Sequence, residues 1–244
     1  MIFQKNPFPV RGELLRTWFF CHRTPEAVAH ALVPPRLELI THGGFAFWNV
    51  VVCQLAAMRP SFIPAALGIG YWHVAYRLLV RARLADGRTV EGLYFVRSDC
   101  DSRLVAWPGN WLTDFRFTSA SARVLVEESE GTITGEVTAP GAGGHFQLNR
   151  QTPPTLAAGS PFANYEEANA FLRYKPASIA PHGADCVNIV IIRRDEAAWK
   201  MRPIHAARAE WQWLANRDAT LEVAYEAAPI RYGWRRGEVR RLAP

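Results

Sequence analysis

Hydrophobic and polar residues alternate along many stretches of this chain, which is the pattern of half-buried β-strands. The strongest pair covers residues 71–84 and 89–96, with the turn signal Asp86-Gly87 between them, and it predicts a β-hairpin. Further strands are predicted at 45–55, 114–126, 132–138, 146–150, 186–193, 205–213 and 220–226. Strands are therefore expected to dominate the fold.

Helix signals are few. Thr24 followed by Pro25 is typical of a helix start, and a proline pair at 34–35 ends that segment, so a helix is predicted over 25–33. Asn164 as a cap, with acidic residues in the next turn, predicts a second helix over 164–174. Residues 98–112 are expected to be irregular or helical. We expect an α+β fold, with residues 1–244 in a single domain built on a large antiparallel sheet or barrel with a few flanking helices.

The composition excludes a disordered polyelectrolyte, because 49% of the residues are hydrophobic and 20% are charged. The formal net charge is +6, and the 28 basic residues include three lysines, so 25 are arginines. Residues 231–244 form an arginine-rich segment, predicted to be a solvated basic tail. No nucleic-acid recognition motif accompanies it, so no specific nucleic-acid partner is expected.

The four cysteines are widely separated, which favours free thiols over a disulfide framework or a zinc knuckle. No signal peptide is predicted, and we expect a cytoplasmic protein. Residues 39–58 contain no Asp, Glu, Lys or Arg, yet they include glycine, histidine and amide side chains. That mixture favours a buried strand, so no membrane span is predicted.

Familiar catalytic motifs are missing from the sequence. There is no His-x-x-x-His pair, no Gly-x-Ser-x-Gly elbow and no phosphate-binding glycine loop. We therefore predict neither a metal site nor a cofactor. The densest polar chemistry within an apolar setting lies between residues 71 and 101.

Four residues of that region are the predicted site: His73, Arg77, Tyr94 and Asp99. Strand alternation places His73 and Arg77 on one face, where the pair could orient a carboxylate inside a barrel. The structural alternative is that Arg77 forms an ion pair with Glu91 across the hairpin. The sequence leaves both readings open.

The same region resembles a known family. Residues 70–77 (GYWHVAYR), 91–96 (EGLYFV) and 99–102 (DCDS) resemble the acetoacetate-decarboxylase-like superfamily, and most closely its conserved bacterial branch of unknown function. Residues 18–39, 171–174 and 210–214 are also similar to that branch, so the resemblance covers about residues 10–225. It implies a cone-like antiparallel barrel with a closed apolar cavity and flanking helices.

The resemblance also implies a difference in chemistry. True decarboxylases of the superfamily use a cavity lysine that forms a Schiff base with a ketone substrate. The family pattern falls on residues 107–116 here, with the lysine position near Phe115 and the family's glutamate position near His73. Lys5, Lys175 and Lys200 are the lysines of the chain, and each is predicted to be exposed. We therefore predict that Schiff-base decarboxylation is absent.

Three functional hypotheses remain. The first is a protein that binds a small lipophilic or carboxylate ligand, with Arg77 holding an anionic group and His73 serving as an acid or base. The second is a lysine-dependent decarboxylase or aldolase-like enzyme that acts on a small keto acid through Lys175 or Lys200. The third is a non-catalytic interaction protein that uses residues 231–244 on nucleic acid or membranes. A homo-oligomer is compatible with each.

Overall fold

The computed structural model describes residues 4–172 and 175–244. Within them the strands are β1 Val10–Pro25, β2 Glu38–Leu39, β3 Thr41–His42, β4 Phe45–Pro60, β5 Ile69–Arg83, β6 Thr89–Cys100, β7 Phe117–Ser119, β8 Arg123–Ser129, β9 Thr132–Thr138, β10 Gly144–Asn149, β11 Ala177–Pro181, β12 Cys186–Arg194, β13 Met201–Trp211, β14 Thr220–Ala227, β15 Ile230–Trp234 and β16 Glu238–Arg241. The helices are α1 Glu26–His30, α2 Arg103–Leu112 and α3 Tyr165–Leu172, with 3-10 turns at Ala65–Leu67 and Gln212–Leu214.

The strands join into one large, mostly antiparallel sheet. Its main path runs β3-β4-β5-β6-β11-β12-β15-β1-β14-β13-β10-β9-β8. Strand β1 also pairs with β4 along its length, which links the strands from β4 to β1 into a ring, while β14 to β8 continue outward. The ring is weakly joined between β6 and β11, where the pairing is the single parallel contact Ser178–Leu93. The α+β class is confirmed, as a large sheet rather than a clean barrel.

The central strands bury both of their faces, and the sheet therefore separates two hydrophobic cores. On β1, Trp18 and Phe20 belong to one core, while Phe19 and Cys21 belong to the other. Side chains alternate in this way because successive Cβ atoms of a strand point to opposite faces. We call these the Trp18 core and the Phe19 core.

The predicted hairpin is confirmed as β5 and β6, with Gly87 at φ 82° in the turn between them. Its pairing is interrupted once. Tyr76 pairs with Arg97 but Arg77 pairs with Phe95, so Val96 is an extra residue on β6. Because of this β-bulge, the side chains of β6 beyond Val96 face the core opposite to the one that unbroken alternation would give.

Several elements differ from their predicted bounds. The first helix is α1, and Thr24 does not cap it, because β1 continues through Pro25 and the Thr24 hydroxyl donates instead to the Arg217 carbonyl. Asn164 does cap α3, since its side-chain oxygen accepts the Glu167 amide at 2.9 Å. Residues 173–174, at the end of the predicted second helix, lie outside the described residues.

The predicted strand over 114–126 is divided into β7 and β8. Strand β1 was not predicted, although it is one of the two longest in the described part of the chain, with 16 residues. The prediction of a solvated tail at 231–244 is wrong. That segment contributes to β15 and β16, which pair with β12, and it buries Trp234 and Leu242. Arg231, Arg240 and Arg241 lie on these strands, and Arg235 and Arg236 lie in the link between them.

Three of the four cysteines, Cys21, Cys53 and Cys100, are buried, and all four are free thiols. Among the described residues, no helix combines the length and the apolar character needed to cross a membrane.

Candidate functional site

A small cavity lies in the Phe19 core against β1, β4, β5 and β6, with a volume of about 30 Å³. It is lined by Leu14, Thr17, Phe19, Val51, Cys53, Leu55, His73, Arg77, Phe95, Phe115, Arg194, Trp199, Tyr232 and Trp234. A buried water needs roughly 10–15 Å³ by this measure. The cavity therefore has room for about two waters, or for a group the size of a carboxylate.

Arg77 brings a buried positive charge to this cavity, since the residue is 4% exposed. Its guanidinium donates to the Asn49 side-chain oxygen and, at 3.5 Å, to the Asn49 carbonyl. The guanidinium carbon lies 5.8 Å from the ring centre of Phe19 and 5.5 Å from that of Phe95. These amide and ring contacts hold the planar group in a fixed orientation beside the cavity.

His73 lies on the same strand face as Arg77 and is 6% exposed. Its ring is parallel to that of Phe95 within 8° and lies 5.2 Å from that of Phe117. Burial, and secondarily the Arg77 charge, lowers the pKa of His73 to about 3, so the ring is neutral at pH 7. Its Nε2 atom has no hydrogen-bond partner among the described residues.

Thr17 and Cys53 supply further polar atoms to the cavity lining. Thr17 is 3% exposed, and its hydroxyl has no partner within the described part of the chain. The Cys53 thiol donates to the His73 carbonyl at 3.6 Å. Burial raises the pKa of Cys53 to about 12, so this thiol stays protonated and is no nucleophile at neutral pH.

The four predicted site residues do not form one cluster. His73 and Arg77 line the cavity, whereas Tyr94 and Asp99 face the Trp18 core. Tyr94 pairs with Leu78 before the bulge, and its hydroxyl accepts from Arg116. Asp99 is fully buried beyond the bulge and accepts both Nε (2.7 Å) and Nη2 (2.9 Å) of Arg97. Asp99 is therefore a partner of Arg97 and lies outside the cavity that His73 and Arg77 line.

The alternative prediction, an ion pair between Arg77 and Glu91, is wrong. Glu91 lies directly across the hairpin from Arg81, which is four residues beyond Arg77 on β5. The Arg81 guanidinium and the Glu91 carboxylate form an ion pair at 2.7 Å. Its second oxygen accepts from Lys175 at 2.9 Å. Glu91 therefore belongs to a partly exposed network of ion pairs and is not part of the cavity lining.

The resemblance places the family lysine near Phe115, and Phe115 lines the cavity. Its ring packs 4.7 Å from Phe95 and 4.5 Å from Trp234. Lys200 is exposed, as predicted, but the other two lysines are half-buried. Lys175 is held by Glu91, and Lys5 donates to the carbonyls of residues 110 and 111 at the end of α2.

One end of the cavity is closed by Arg194, Trp199 and Tyr232. The Arg194 guanidinium lies 4.1 Å from the Trp199 ring centre and bonds the Glu196 carboxylate at 2.8 and 3.1 Å. Residues 195–200 form a loop between β12 and β13. This loop therefore brings an aromatic side chain over the cavity mouth.

Outside this mouth lies an open groove of about 660 Å³, which shares Arg194 and Tyr232 with the cavity. Its charged lining consists of Arg11, Arg59, Arg193, Arg194 and Arg231 against Glu13 and Asp195. Five arginines against two carboxylates make the groove positive, so it attracts anions toward the cavity mouth. We call it the arginine groove.

The sequence did not single out Thr17, Asn49 or the arginine groove. Asn49 and Thr17 are polar residues inside strongly apolar strand segments, and that contrast is a usable signal once both strands are known. Within residues 4–172 and 175–244, no three His, Cys, Asp or Glu side chains are placed to hold a metal ion.

Comparison with solved structures finds the same fold over nearly the whole chain. An acetoacetate decarboxylase-like enzyme from Sphingomonas wittichii RW1 is 16% identical, with 97% of this chain and 93% of that chain covered and a TM-score of 0.57. Acetoacetate decarboxylase from Legionella pneumophila is 12% identical, with 97% and 87% covered and a TM-score of 0.58. The enduracididine biosynthesis enzyme MppR, complexed with pyruvate, is 12% identical, with 96% and 90% covered and a TM-score of 0.57.

The coverage and the TM-scores establish the fold, which is that of the acetoacetate decarboxylase-like proteins. A shared fold at such low sequence identity does not establish an activity. A search of curated proteins finds no match. Residues 13–232 match the model of the DUF2071 family, which is described as an uncharacterized conserved protein. Because that match spans most of the chain, the protein belongs to the DUF2071 family, on an acetoacetate decarboxylase-like fold.

Proposed function

We propose that this protein binds a small organic acid in the His73–Arg77 cavity, with the carboxylate of the acid against the Arg77 guanidinium. One observation carries the proposal. A buried guanidinium and two buried polar atoms without partners among the described residues, Nε2 of His73 and Oγ1 of Thr17, line one cavity whose other walls are mostly apolar. A carboxylate supplies acceptors to all three, and so removes the free-energy cost of leaving donors unpaired.

The approach to the cavity supports an anionic ligand. The arginine groove lies next to the mouth, where it would raise the local concentration of anions. MppR, a protein of the same fold, is complexed with pyruvate, which is a small acid of this class. The carboxylate group fits the cavity volume, and the rest of a larger acid would extend between Arg194, Trp199 and Tyr232.

The proposal assigns no Schiff-base chemistry to the site. Lys5, Lys175 and Lys200 are the only amines on side chains of this sequence, and the cavity lining contains none of them. Arg77 cannot take their role, because a guanidinium stays protonated at neutral pH. His73 is neutral in the empty cavity, and a bound carboxylate would raise its pKa and so favour uptake of a proton.

Calorimetry and thermal shift with acetate, isobutyrate and pyruvate, each against its neutral amide, test the binding. We expect the acids to bind and the amides not to bind. Arg77→Met should lower the affinity at least about tenfold, and Thr17→Val about fivefold, because each variant removes hydrogen bonds to the ligand. Arg83→Met, an exposed arginine on the same strand, is the matched control and should bind like the parent protein.

Failure of every acid to bind, or unchanged affinity in a folded Arg77→Met protein, would contradict the binding proposal. Borohydride reduction in the presence of pyruvate tests the chemistry separately. We expect no adduct on any lysine, and mass-spectrometric detection of one on Lys175 or Lys200 would reinstate a lysine-dependent enzyme.

A further inference from the structure

A second cavity, of about 150 Å³, lies elsewhere on the sheet, between strands β13 and β14 and the segment 154–157. Its lining mixes polar and apolar groups, and Leu156, Ile204, Leu221 and Val223 are among its apolar residues. Four polar side chains, those of Thr155, Tyr165, His205 and Glu222, share the lining. An apolar protein cavity of roughly this volume accommodates a benzene-sized molecule.

Glu222 reaches the cavity because of a bulge in β14. Cys21 pairs with Val223 and His22 with Leu221, so Glu222 is an extra residue without a partner position on β1. β-Bulges re-aim side chains in this way and are frequent next to binding sites. The residue is 2% exposed, and its side chain is fully buried.

The Glu222 carboxylate is only half satisfied. One oxygen accepts from Arg23, whereas Oε2 has no hydrogen-bond partner in the described part of the chain. Because the carboxylate pairs with the Arg23 guanidinium, Oε2 is a strong acceptor. A buried acceptor left without a donor is costly, and the position therefore favours a ligand that donates.

Tyr165 provides a second such group. Its hydroxyl is buried and has no partner among the described residues, and the residue stands at the start of α3 and shares the cavity lining with Glu222. Since a phenol both donates and accepts, it can accept a second N–H of a ligand that donates to Glu222.

The cover of the cavity is tied to the same ion pair. Arg23 uses its other terminal nitrogen to donate to the Ala158 carbonyl at 3.0 Å. Ala158 follows directly on the segment 154–157 that lines the cavity. The guanidinium thus links the buried carboxylate to the segment that closes the site.

We propose that this cavity is a second ligand site, which takes a small apolar primary amine whose nitrogen donates to Glu222 Oε2 and to the Tyr165 hydroxyl. The carboxylate selects an amine and repels an acid, so the site is opposite in charge preference to the His73–Arg77 cavity. The apolar residues of the lining, Leu156 among them, contact the hydrocarbon part of the amine. This proposal is independent of the proposed acid site.

Calorimetry on the full chain with benzylamine, benzyl alcohol and benzoate tests the amine site. We expect benzylamine to bind most tightly, benzyl alcohol more weakly, and benzoate not to bind here. Tyr165→Phe should lower the affinity for benzylamine about fivefold, the value of one hydrogen bond. Leu156→Trp, which fills the cavity, should abolish binding.

Tyr225→Phe is the matched control, because its hydroxyl is also buried without a described partner but does not line this cavity. It should leave the affinity for benzylamine unchanged. Glu222→Gln leaves Arg23 without its carboxylate and can unfold the chain, so the two milder variants carry the test. No binding of benzylamine, or equal binding by the parent, Tyr165→Phe and Leu156→Trp proteins, would overturn the proposal.

Discussion

Arg77 and Arg97 are both buried on the β5–β6 hairpin, one on each face. Arg97 meets the Asp99 carboxylate in a two-bond ion pair, donates also to the Pro140 carbonyl and stacks on Trp213. Arg77 meets the neutral amide of Asn49 and two phenyl rings, and it borders a cavity.

The difference separates a structural charge from a candidate functional one. On the Trp18 core side, the arginine and the carboxylate compensate each other inside the fold. On the Phe19 core side, the arginine lies beside two polar atoms that have no described partner, at a cavity that shares Arg194 and Tyr232 with the arginine groove. Mutations on the Trp18 core side should therefore change the free energy of unfolding. Mutations on the Phe19 core side should change the pH dependence of stability and the binding of ligands.

The largest expected effect is on the structural face. Asp99→Ala leaves Arg97 buried without its carboxylate and should lower the free energy of unfolding by about 3–5 kcal/mol. Urea unfolding measures this loss. The double variant Arg97→Met with Asp99→Leu should recover most of it, because no buried charge remains. An Asp99→Ala protein as stable as the parent would remove the contrast between the two faces.

The next effect concerns pH. The pKa of His73 is lowered to about 3, against 6.5 for the unfolded chain, so the unfolded state binds a proton as the pH falls from 7 to 5 while the folded state does not. The contribution of His73 to stability is therefore fully present above pH 6.5 and should fall by about 2 kcal/mol between pH 7 and pH 5. His73→Asn should reduce the pH-dependent loss by this amount.

A second buried histidine sharpens that comparison. Burial lowers the pKa of His22 to about 4, so His22→Asn should also reduce the loss of stability between pH 7 and pH 5. His22 does not line the acid cavity. Acid binding should therefore weaken in His73→Asn alone, and equal weakening in both variants would show that the effect is not local to the cavity.

Arg77→Met should cost less stability than Asp99→Ala. It leaves the Asn49 side-chain oxygen without one donor, which costs about 1–2 kcal/mol, whereas Asp99→Ala leaves the buried Arg97 guanidinium without its carboxylate. Urea unfolding gives the loss, and the calorimetry described above gives the affinity on the same protein. A loss as large as that of Asp99→Ala would make Arg77 a structural residue too.

The smallest effect is expected on the surface network of Glu91. Glu91→Gln weakens its contacts with Arg81 and Lys175, all of which are partly exposed, and should change the free energy of unfolding by less than about 1 kcal/mol. Affinity for small acids should not change. A large loss of affinity would mean that this network reaches the cavity after all.

Local patterns predicted much of the central fold. The β5–β6 hairpin, β9 and the strands near β12 and β14 follow from alternation and turn residues, whose effects act within a few positions. Strand β1 was missed because charged and apolar residues at 10–25 do not alternate cleanly, since both faces of its second half are buried. Thr17 lies on β1, so its place in the site depends on recognising that strand.

By itself the sequence determined that His73 and Arg77 share a strand face, since they are four positions apart on a strand with a side-chain period of two. It also determined that residues 107–116 contain no lysine. Tertiary structure alone decided the rest of the site. The bulge at Val96 turns Asp99 to the opposite core, and the pairing of β1 with β4 brings Thr17 to the cavity. Both depend on which residue faces which across a pair of strands, and a local pattern does not encode that register.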